Sequence, residues 1–457
     1  MIYLDHDTIV APATPAGGAL CLIRMSGAEA IAICDAVFRG RVVLADAKTA
    51  TAHYGNIVDG EDVVDDVVVT LFRAPHSYTA EDSVEISAHG SRYVVNRILG
   101  LLIERGARMA EAGEFTRRAF LAGRMDLSQA EAVADIIAAD SQASHAVAST
   151  QMRGGYSALL QALRERLLHI VSLLELELDF SEEDVEFANR EELKNFLMEL
   201  NREVVKLRDS FALGNALKHG VTVAIAGRPN VGKSTLLNAL AGEDRAMVSD
   251  IAGTTRDTIE AVVNMGGVVY RFVDTAGLHD TEDRLERMGI ERTTEALRRA
   301  MIVLWLTDDA ASSFEADMSG YEAPEGQKIY RVLTKADLHD SAEIWNTPFT
   351  DEQYPTLTIS AKSGEGMAQL RSCLLSAADT SAAYAGDVIV SNRRHYDALC
   401  QAEEALSAAL QGLTQGVTTD LLSEDIRQVI YHLGTITDEI SSDDILKSIF
   451  ANFCIGK

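Results

Sequence analysis

The sequence predicts an α+β N-terminal domain, then an α-helical domain into which an α/β domain with a mostly parallel sheet is inserted. Three observations predict this. Short alternating apolar runs, broken by Gly- and Pro-bearing turns, fill residues 1 to about 120. Apolar residues then recur at helical spacing from about 121, and again after about 381. Between these stretches short apolar runs alternate with helical ones, the pattern of repeated βαβ units.

In chain order, VVDDVVVTLF at 63–72 and SVEISA at 83–88 read as strands, and 92–105 reads as a helix closed by Gly106. Leu159, Leu160, Leu163, Leu167, Ile170, Val171 and Leu174 form one apolar stripe, and a second long helix is predicted through 191–213. Ser181, Asp184 and the acids between them read as a helix N-terminus; they lack partner ligands at metal spacing. VTVAI at 221–225 opens the α/β part. Runs at 268–273, 301–306, 329–333 and 356–359 supply further strands, and a helix is predicted near 366–377. Leu422, Ile426, Val429, Ile430 and Leu433 then mark a late amphipathic helix. Neither helical half buries its stripe alone, so 121–217 and 381–457 should pack together around the inserted 218–380.

Composition excludes several classes. Of the 457 residues 47% are apolar and 24% charged, a soluble globular balance incompatible with wholesale disorder. Only 7 Pro and 32 Gly exclude a collagen-like or Pro-rich chain. No apolar run approaches the ~18–20 residues of a membrane span, and the first residues lack the pattern of a signal peptide. Cys21, Cys34, Cys373, Cys400 and Cys454 are scattered and never spaced CxxC, so they read as thiols of a reducing cytoplasm. Cys21 and Cys34 fall in apolar runs and are expected in the core. A net charge of −28 argues against a broad electrostatic grip on nucleic acid, though not against a local basic patch.

The chemistry is concentrated in five segments. After VTVAIA comes Gly227-Arg-Pro-Asn-Val-Gly232-Lys233-Ser234, with a helical TLLNALAG behind it. A glycine-rich loop between strand and helix turns backbone N–H groups and the positive helix end toward phosphate. Asn230, Val231, Gly232, Lys233, Ser234 and Thr235 are therefore candidate phosphate-loop residues, with Lys233 reaching the β/γ-phosphates and Ser234 the Mg²⁺. Asp274, Thr275, Ala276 and Gly277 close a predicted strand, where a carboxylate can hold Mg²⁺ through water and Gly277 N–H can meet the γ-phosphate. Between them Asp250, Ile251, Ala252, Gly253, Thr254 and Thr255 form a switch-like segment, with Thr255 a second Mg²⁺ ligand. Thr334, Lys335 and Asp337 follow a strand, and the Asp can accept from guanine N1 and N2. Ser360, Ala361 and Lys362 follow the next and would support guanine O6. The ordered set predicts guanine-nucleotide binding by a Ras-like P-loop GTPase domain.

The order GRPNVGKS, DIAGTTRD, DTAG, TKAD, SAK resembles the TrmE/Era class of GTPases. The stretches DTIVAPATP, IRMSG and EAGEFTRRAFLAGRMDLSQAEAVADII and the ending FCIGK resemble the MnmE (TrmE) family of tRNA-modification GTPases, over nearly the whole chain. The resemblance implies a homodimer whose 1–120 region binds a tetrahydrofolate derivative and dimerises. It implies an FAD-dependent MnmG-type partner in a heterotetramer or larger complex, and tRNA as substrate. The modification implied is an aminomethyl or carboxymethylaminomethyl group on C5 of the wobble uridine. It implies GTP, Mg²⁺ and K⁺ as cofactors. K⁺ ligands would be Asn230, Val248, Asp250, Ile251 and Thr254. Folate-contacting residues would be Arg24, Glu85, Arg124 and Lys457.

Leu278 stands where Ras-type GTPases carry a water-orienting glutamine, and the family's glutamate in that role matches Glu286. Cys454, just before Ile455-Gly456-Lys457, is a candidate catalytic thiol delivered by a mobile chain end; Gly456 and Lys457 fit a prenylation signal poorly. Thr334 replaces the commoner asparagine of the guanine motif, and the Gly-rich turn at Gly17-Gly18 is shorter than the family's. Two rival readings use the same residues: a regulatory GTPase or assembly factor without modification chemistry, and a folate-dependent methyltransferase with a structural G domain.

Overall fold

The computed structural model describes residues 7–179, 190–243, 259–274, 294–309, 318, 321–324, 326–338, 354–378, 381–437, 446, 449–451, 453 and 456. The chain divides into two compact units: Met1–Ala134 with Ser157–Glu165 and Leu433–Lys457, and Asp135–Tyr156 with Arg166–His432.

The first unit is built on a seven-stranded sheet. Its strands are β1 (Ile9–Pro12), β2 (Leu20–Ser26), β3 (Phe38–Gly40), β4 (Thr51–Asp59), β5 (Asp62–Phe72), β6 (Ser83–His89) and β7 (Arg108–Met109), in the order β3-β4-β5-β6-β2-β1-β7. All neighbours are antiparallel except β1 with β7. Alternation decides the faces. Val67, Val69 and Leu71 of β5 are buried and Val68 is exposed. The buried rows pack with Ile31 and Ile33 of helix α1 (Ala30–Asp35) and Ile98 and Leu102 of α2 (Arg92–Glu104), an α+β arrangement. Cys21 and Cys34 are both in this core. On the opposite face Ile9, Ala11, Ala110 and Phe115 form a smaller cluster, Phe115 coming from α3 (Glu114–Leu121).

The second unit contains a six-stranded sheet of β8 (Val221–Gly227), β9 (Ile259–Met265), β10 (Val268–Asp274), β11 (Ile302–Thr307), β12 (Lys328–Leu333) and β13 (Thr356–Thr358), ordered β13-β12-β11-β8-β10-β9. Only the β9–β10 pairing is antiparallel. The remaining helices are α4 (Leu127–Ala138), α5 (Gln142–Met152), α6 (Gly155–Asp179), α7 (Arg190–His219), α8 (Lys233–Glu243), α9 (Met367–Ala378), α10 (Ser381–Ala385), α11 (Arg393–Gln415) and α12 (Thr419–Thr437). Leu160, Leu163, Leu167, Val171 and Leu174 lie buried along α6, and all five stripe residues of α12 are buried. Within the second unit, α7 and α11 meet. Phe211 of α7 lies 4.6 Å from the Tyr396 ring of α11, and Arg208 pairs with Glu403. At Gly214 an added Cβ would stand 2.1 Å from the Val390 carbonyl, so only glycine lets these backbones cross. The helix start expected at Ser181 and Asp184 lies outside the described residues.

Candidate functional site

The loop from Gly227 to Lys233 leaves the carboxyl end of β8 and enters the first turn of α8. Gly227 has φ +142°, and a Cβ there would stand 2.4 Å from the Leu306 carbonyl, so glycine lets β8 end flush against β11. Asn230 sits exposed at φ +64°, a region asparagine tolerates better than most residues. Lys233 folds back into the loop, and its ammonium donates to the carbonyls of Gly227 at 2.6 Å and Arg228 at 3.2 Å. A cation is thus held inside a loop already made positive by the helix end. Val231 is buried, and Ser234 and Thr235 are exposed at the first turn of α8.

The guanine-type segments stand beside this loop. Thr334 follows β12, and its buried hydroxyl lies 2.5 Å from the Val231 carbonyl and 3.2 Å from that of Thr307, sharing one proton between them. The threonine that replaces the usual asparagine therefore ties the base-reading segment to the phosphate loop. Lys335 takes φ +56°, and its ammonium meets Asp308 Oδ2 at 2.7 Å. Asp337 is exposed and accepts from Ser360 Oγ at 2.7 Å. That hydrogen bond, with Lys362 nearby, holds the Asp337 carboxyl below its ordinary value and keeps it ionised, the acceptor state a guanine edge needs. Ser360 is fully buried and organises its own turn, accepting from Ser363 N–H at 3.2 Å; Ala361 is half-buried and Lys362 exposed. Replacing Thr334 with valine removes the hydroxyl donor to the Val231 carbonyl, while the Thr307 carbonyl keeps the residue-334 N–H at 2.8 Å. A loss of about 1–3 kcal/mol is expected, read as weaker GTP binding in a fluorescent-nucleotide titration. Unchanged affinity would show that the tether does not order the loop.

Asp274 ends β10 and pairs with Ile225 of β8, so the acidic strand end adjoins the phosphate loop. Ser234, exposed at the first turn of α8, carries a hard oxygen of the kind Mg²⁺ takes. Val248, Asp250, Ile251, Ala252, Gly253, Thr254, Thr255, Thr275, Ala276, Gly277 and Glu286 lie outside the described residues, as do Cys454 and Lys457.

In the other unit Arg24 and Glu85 are brought together. They pair across β2 and β6, and Glu85 Oε1 accepts from Arg24 Nε at 2.9 Å and Nη2 at 2.7 Å. The guanidinium stands 5.4 Å from the Tyr78 ring centroid and 5.9 Å from that of Phe115. Arg124 is exposed just past α3. The chain end approaches the same sheet. Phe453 packs on Phe450, with ring centroids 5.3 Å apart, in a cluster with Phe120 and Leu127. Gly456, expected in a free tail, is instead buried: a Cβ there would stand 2.3 Å from the Pro12 carbonyl. Pro12 pairs with Ile23, one residue beyond the Ala11–Arg24 pair. Phe453 and Gly456, the described residues that flank Cys454 in the sequence, are thus each packed against this unit.

Sequence reading missed two groups. Asp308 as the partner of Lys335 was hidden by a sequence separation of 27. The buried carboxylate Glu114 accepts from Arg108 at 2.7 and 2.9 Å and from Arg118 at 3.0 Å, while Arg118 also holds Asp7 and Glu81. Burial pushes the Glu114 carboxyl up, but hydrogen bonds from Arg108, the Glu111 N–H and Arg118 outweigh this and leave it below the ordinary value. The i,i+4 spacing of Glu114 and Arg118 was the one legible trace.

Comparison with known proteins shows what the chain resembles. Residues 8–124 match the family model described as GTP-binding protein TrmE N-terminus, and 127–454 match the MnmE helical domain. A relative from Bacteroides thetaiotaomicron, named tRNA modification GTPase MnmE, is 48% identical over 99% of this chain and 100% of its own. One from Porphyromonas gingivalis with the same name is 49% identical over 99% of this chain and 98% of its own. Among solved structures, Era of Aquifex aeolicus bound to GDP and AlF4⁻ is 26% identical, covers 40% of this chain and 66% of its own, and has a TM-score of 0.28.

Proposed function

Because this chain belongs to the MnmE family of tRNA modification GTPases, we propose that it is a K⁺-dependent GTP hydrolase acting on wobble uridine. With an FAD-dependent MnmG-type partner it would add an aminomethyl or carboxymethylaminomethyl group to C5 of that uridine in certain tRNAs. A tetrahydrofolate derivative would supply the one-carbon unit. By role, 1–120 would bind folate and dimerise, 218–380 would be the G domain, and 121–217 and 381–457 the halves of the helical domain.

The observation that carries the GTPase part is the Thr334 bridge. It joins the base-reading segment to a loop in which Lys233 is already turned inward. Lys233 would neutralise charge on the β- and γ-phosphates, and backbone N–H groups of Gly232 and Lys233 would orient them. Ser234, Asp274 and Thr255 would hold Mg²⁺, which neutralises phosphate charge when bound. In the other unit Arg24, Glu85 and Arg124 would contact the folate. The pairing of Arg24 with Glu85 presents one charge-balanced face to a ligand that carries both donors and a carboxylate.

Two expectations test this reading. Hydrolysis should be faster in K⁺ than in Na⁺ at equal ionic strength, and Asn230→Ala should erase the difference. Equal rates in the two salts for the unmodified chain would contradict a cation-assisted mechanism. For the base, Asp337→Asn exchanges a double acceptor for one acceptor and one donor. Xanthosine nucleotides should then be preferred, with GTP binding weakened by about 1.5–3 kcal/mol. Unaltered GTP affinity would show that Asp337 does not read the base.

A further inference from the structure

β9 and β10 form the antiparallel edge hairpin of the six-stranded sheet. In the chain, the switch-like segment 250–255 precedes β9 and the DTAG segment begins on Asp274, the last residue of β10. The opposite end of the hairpin is the two-residue turn Gly266–Gly267, flanked by the Met265–Val268 pair. Both glycines have positive φ, +59° and +80°, as a tight type I′ turn needs.

This turn is docked on α5. The Gly267 carbonyl accepts from Ala143 N–H at 3.0 Å, and a Cβ on Gly267 would stand 3.1 Å from Gln142 Cβ and 2.8 Å from the Tyr384 hydroxyl. Ala143 and Val147 share one apolar cluster with Val263, Met265 and Val268. The first turn of α5 is itself rigidified by a reciprocal cap between Ser141 and Ser144. At the other end of α5, buried Gln151 donates through Nε2 to the Ile389 carbonyl at 3.2 Å and to Ser391 Oγ at 3.3 Å. Those residues lie where the chain leaves the α/β part and enters α11, capped by Asn392. One helix is thus bonded by its first turn to the hairpin between the switch segments and by its last turn to the re-entry into the helical part. The β9–β10 register is irregular between Phe272 and Val273, at the switch end of the hairpin. A ladder interrupted there can adjust locally without breaking the pairs that hold the turn.

We propose that α5 relays the nucleotide state from the Gly266–Gly267 turn to residues 389–391, and so couples GTP hydrolysis to the modification. This rests on the GTPase reading above and adds the route. Hydrogen exchange on the full chain, loaded with GDP or with a non-hydrolysable GTP analogue, tests it. Peptides over 141–152 should differ in exchange between the two nucleotides. Gly267→Ala, which crowds Gln142 and displaces Tyr384, should erase that difference. It should lower wobble modification per GTP hydrolysed by ~5-fold or more, with hydrolysis itself changed less than ~3-fold. Gln151→Leu should do the same from the far end of α5 with the turn untouched, so one folded variant decides. Equal exchange over 141–152 with both nucleotides in the unmodified chain overturns the proposal whether or not the variants fold. So does full modification per GTP in a folded variant. Failure of the GTPase reading looks different: the unmodified chain would not hydrolyse GTP at all.

Discussion

Replacing Glu286 with alanine should lower the rate of GTP hydrolysis by ~10²–10³, the usual loss when a group that positions the attacking water or stabilises charge is removed. Nucleotide affinity should stay close to that of the unmodified chain. The reason lies at Leu278. The residue after DTAG orients water in Ras-type enzymes, and an apolar side chain has no polar atom for that task. Another carboxylate or amide must do it, and the resemblance places Glu286 there. The polar contacts of Lys233, Thr334 and Asp337 around the loop are made with Gly227, Val231 and Ser360, residues other than Glu286. Hence kcat should fall while Kd holds. Near-normal turnover by the alanine variant would remove Glu286 from the mechanism.

Replacing Cys454 with serine should leave folding and GTP hydrolysis intact yet abolish wobble modification. Serine is close to cysteine in size but far less acidic, so it cannot supply a thiolate near neutral pH. The neighbours of Cys454 make the contrast sharp. Phe453 packs on Phe450 and Gly456 is pressed on the Pro12 carbonyl, so both residues have contacts of their own that a Cys454 substitution does not remove. A purely structural thiol predicts the reverse, a lowered Tm with modification retained. Measuring hydrolysis rate, Tm and modified-nucleoside level on this one variant separates the two.

The fold was legible where periodicity and local chemistry agree. Val67, Val69 and Leu71 alternate with an exposed Val68, and that pattern located β5 to within one residue. Likewise the strand-loop-helix around Lys233 is written in contiguous residues, each needed by its neighbours. What stayed hidden depends on contacts between distant segments. Nothing local to Thr334 says that its hydroxyl will meet Val231, and nothing near Arg24 says that Glu85 will neutralise it. Gly456 read as a loose tail because glycine near a chain end usually is one; the close approach of Pro12 is a property of the folded unit alone. The Gly266–Gly267 turn was equally silent, since two glycines announce a turn but not the helix it rests on.

The central claim is that nucleotide chemistry at the Gly227–Lys233 loop drives tRNA wobble modification. Mass spectrometry of wobble nucleosides tests it most directly, in a strain lacking this chain and complemented with either the unmodified protein or Lys233→Ala at matched soluble level. The account predicts that the unmodified protein restores the modified uridine and that Lys233→Ala, stripped of the ammonium held at 2.6 Å from the Gly227 carbonyl, does not. Full restoration by Lys233→Ala, or undiminished modification in the strain without the chain, would contradict it.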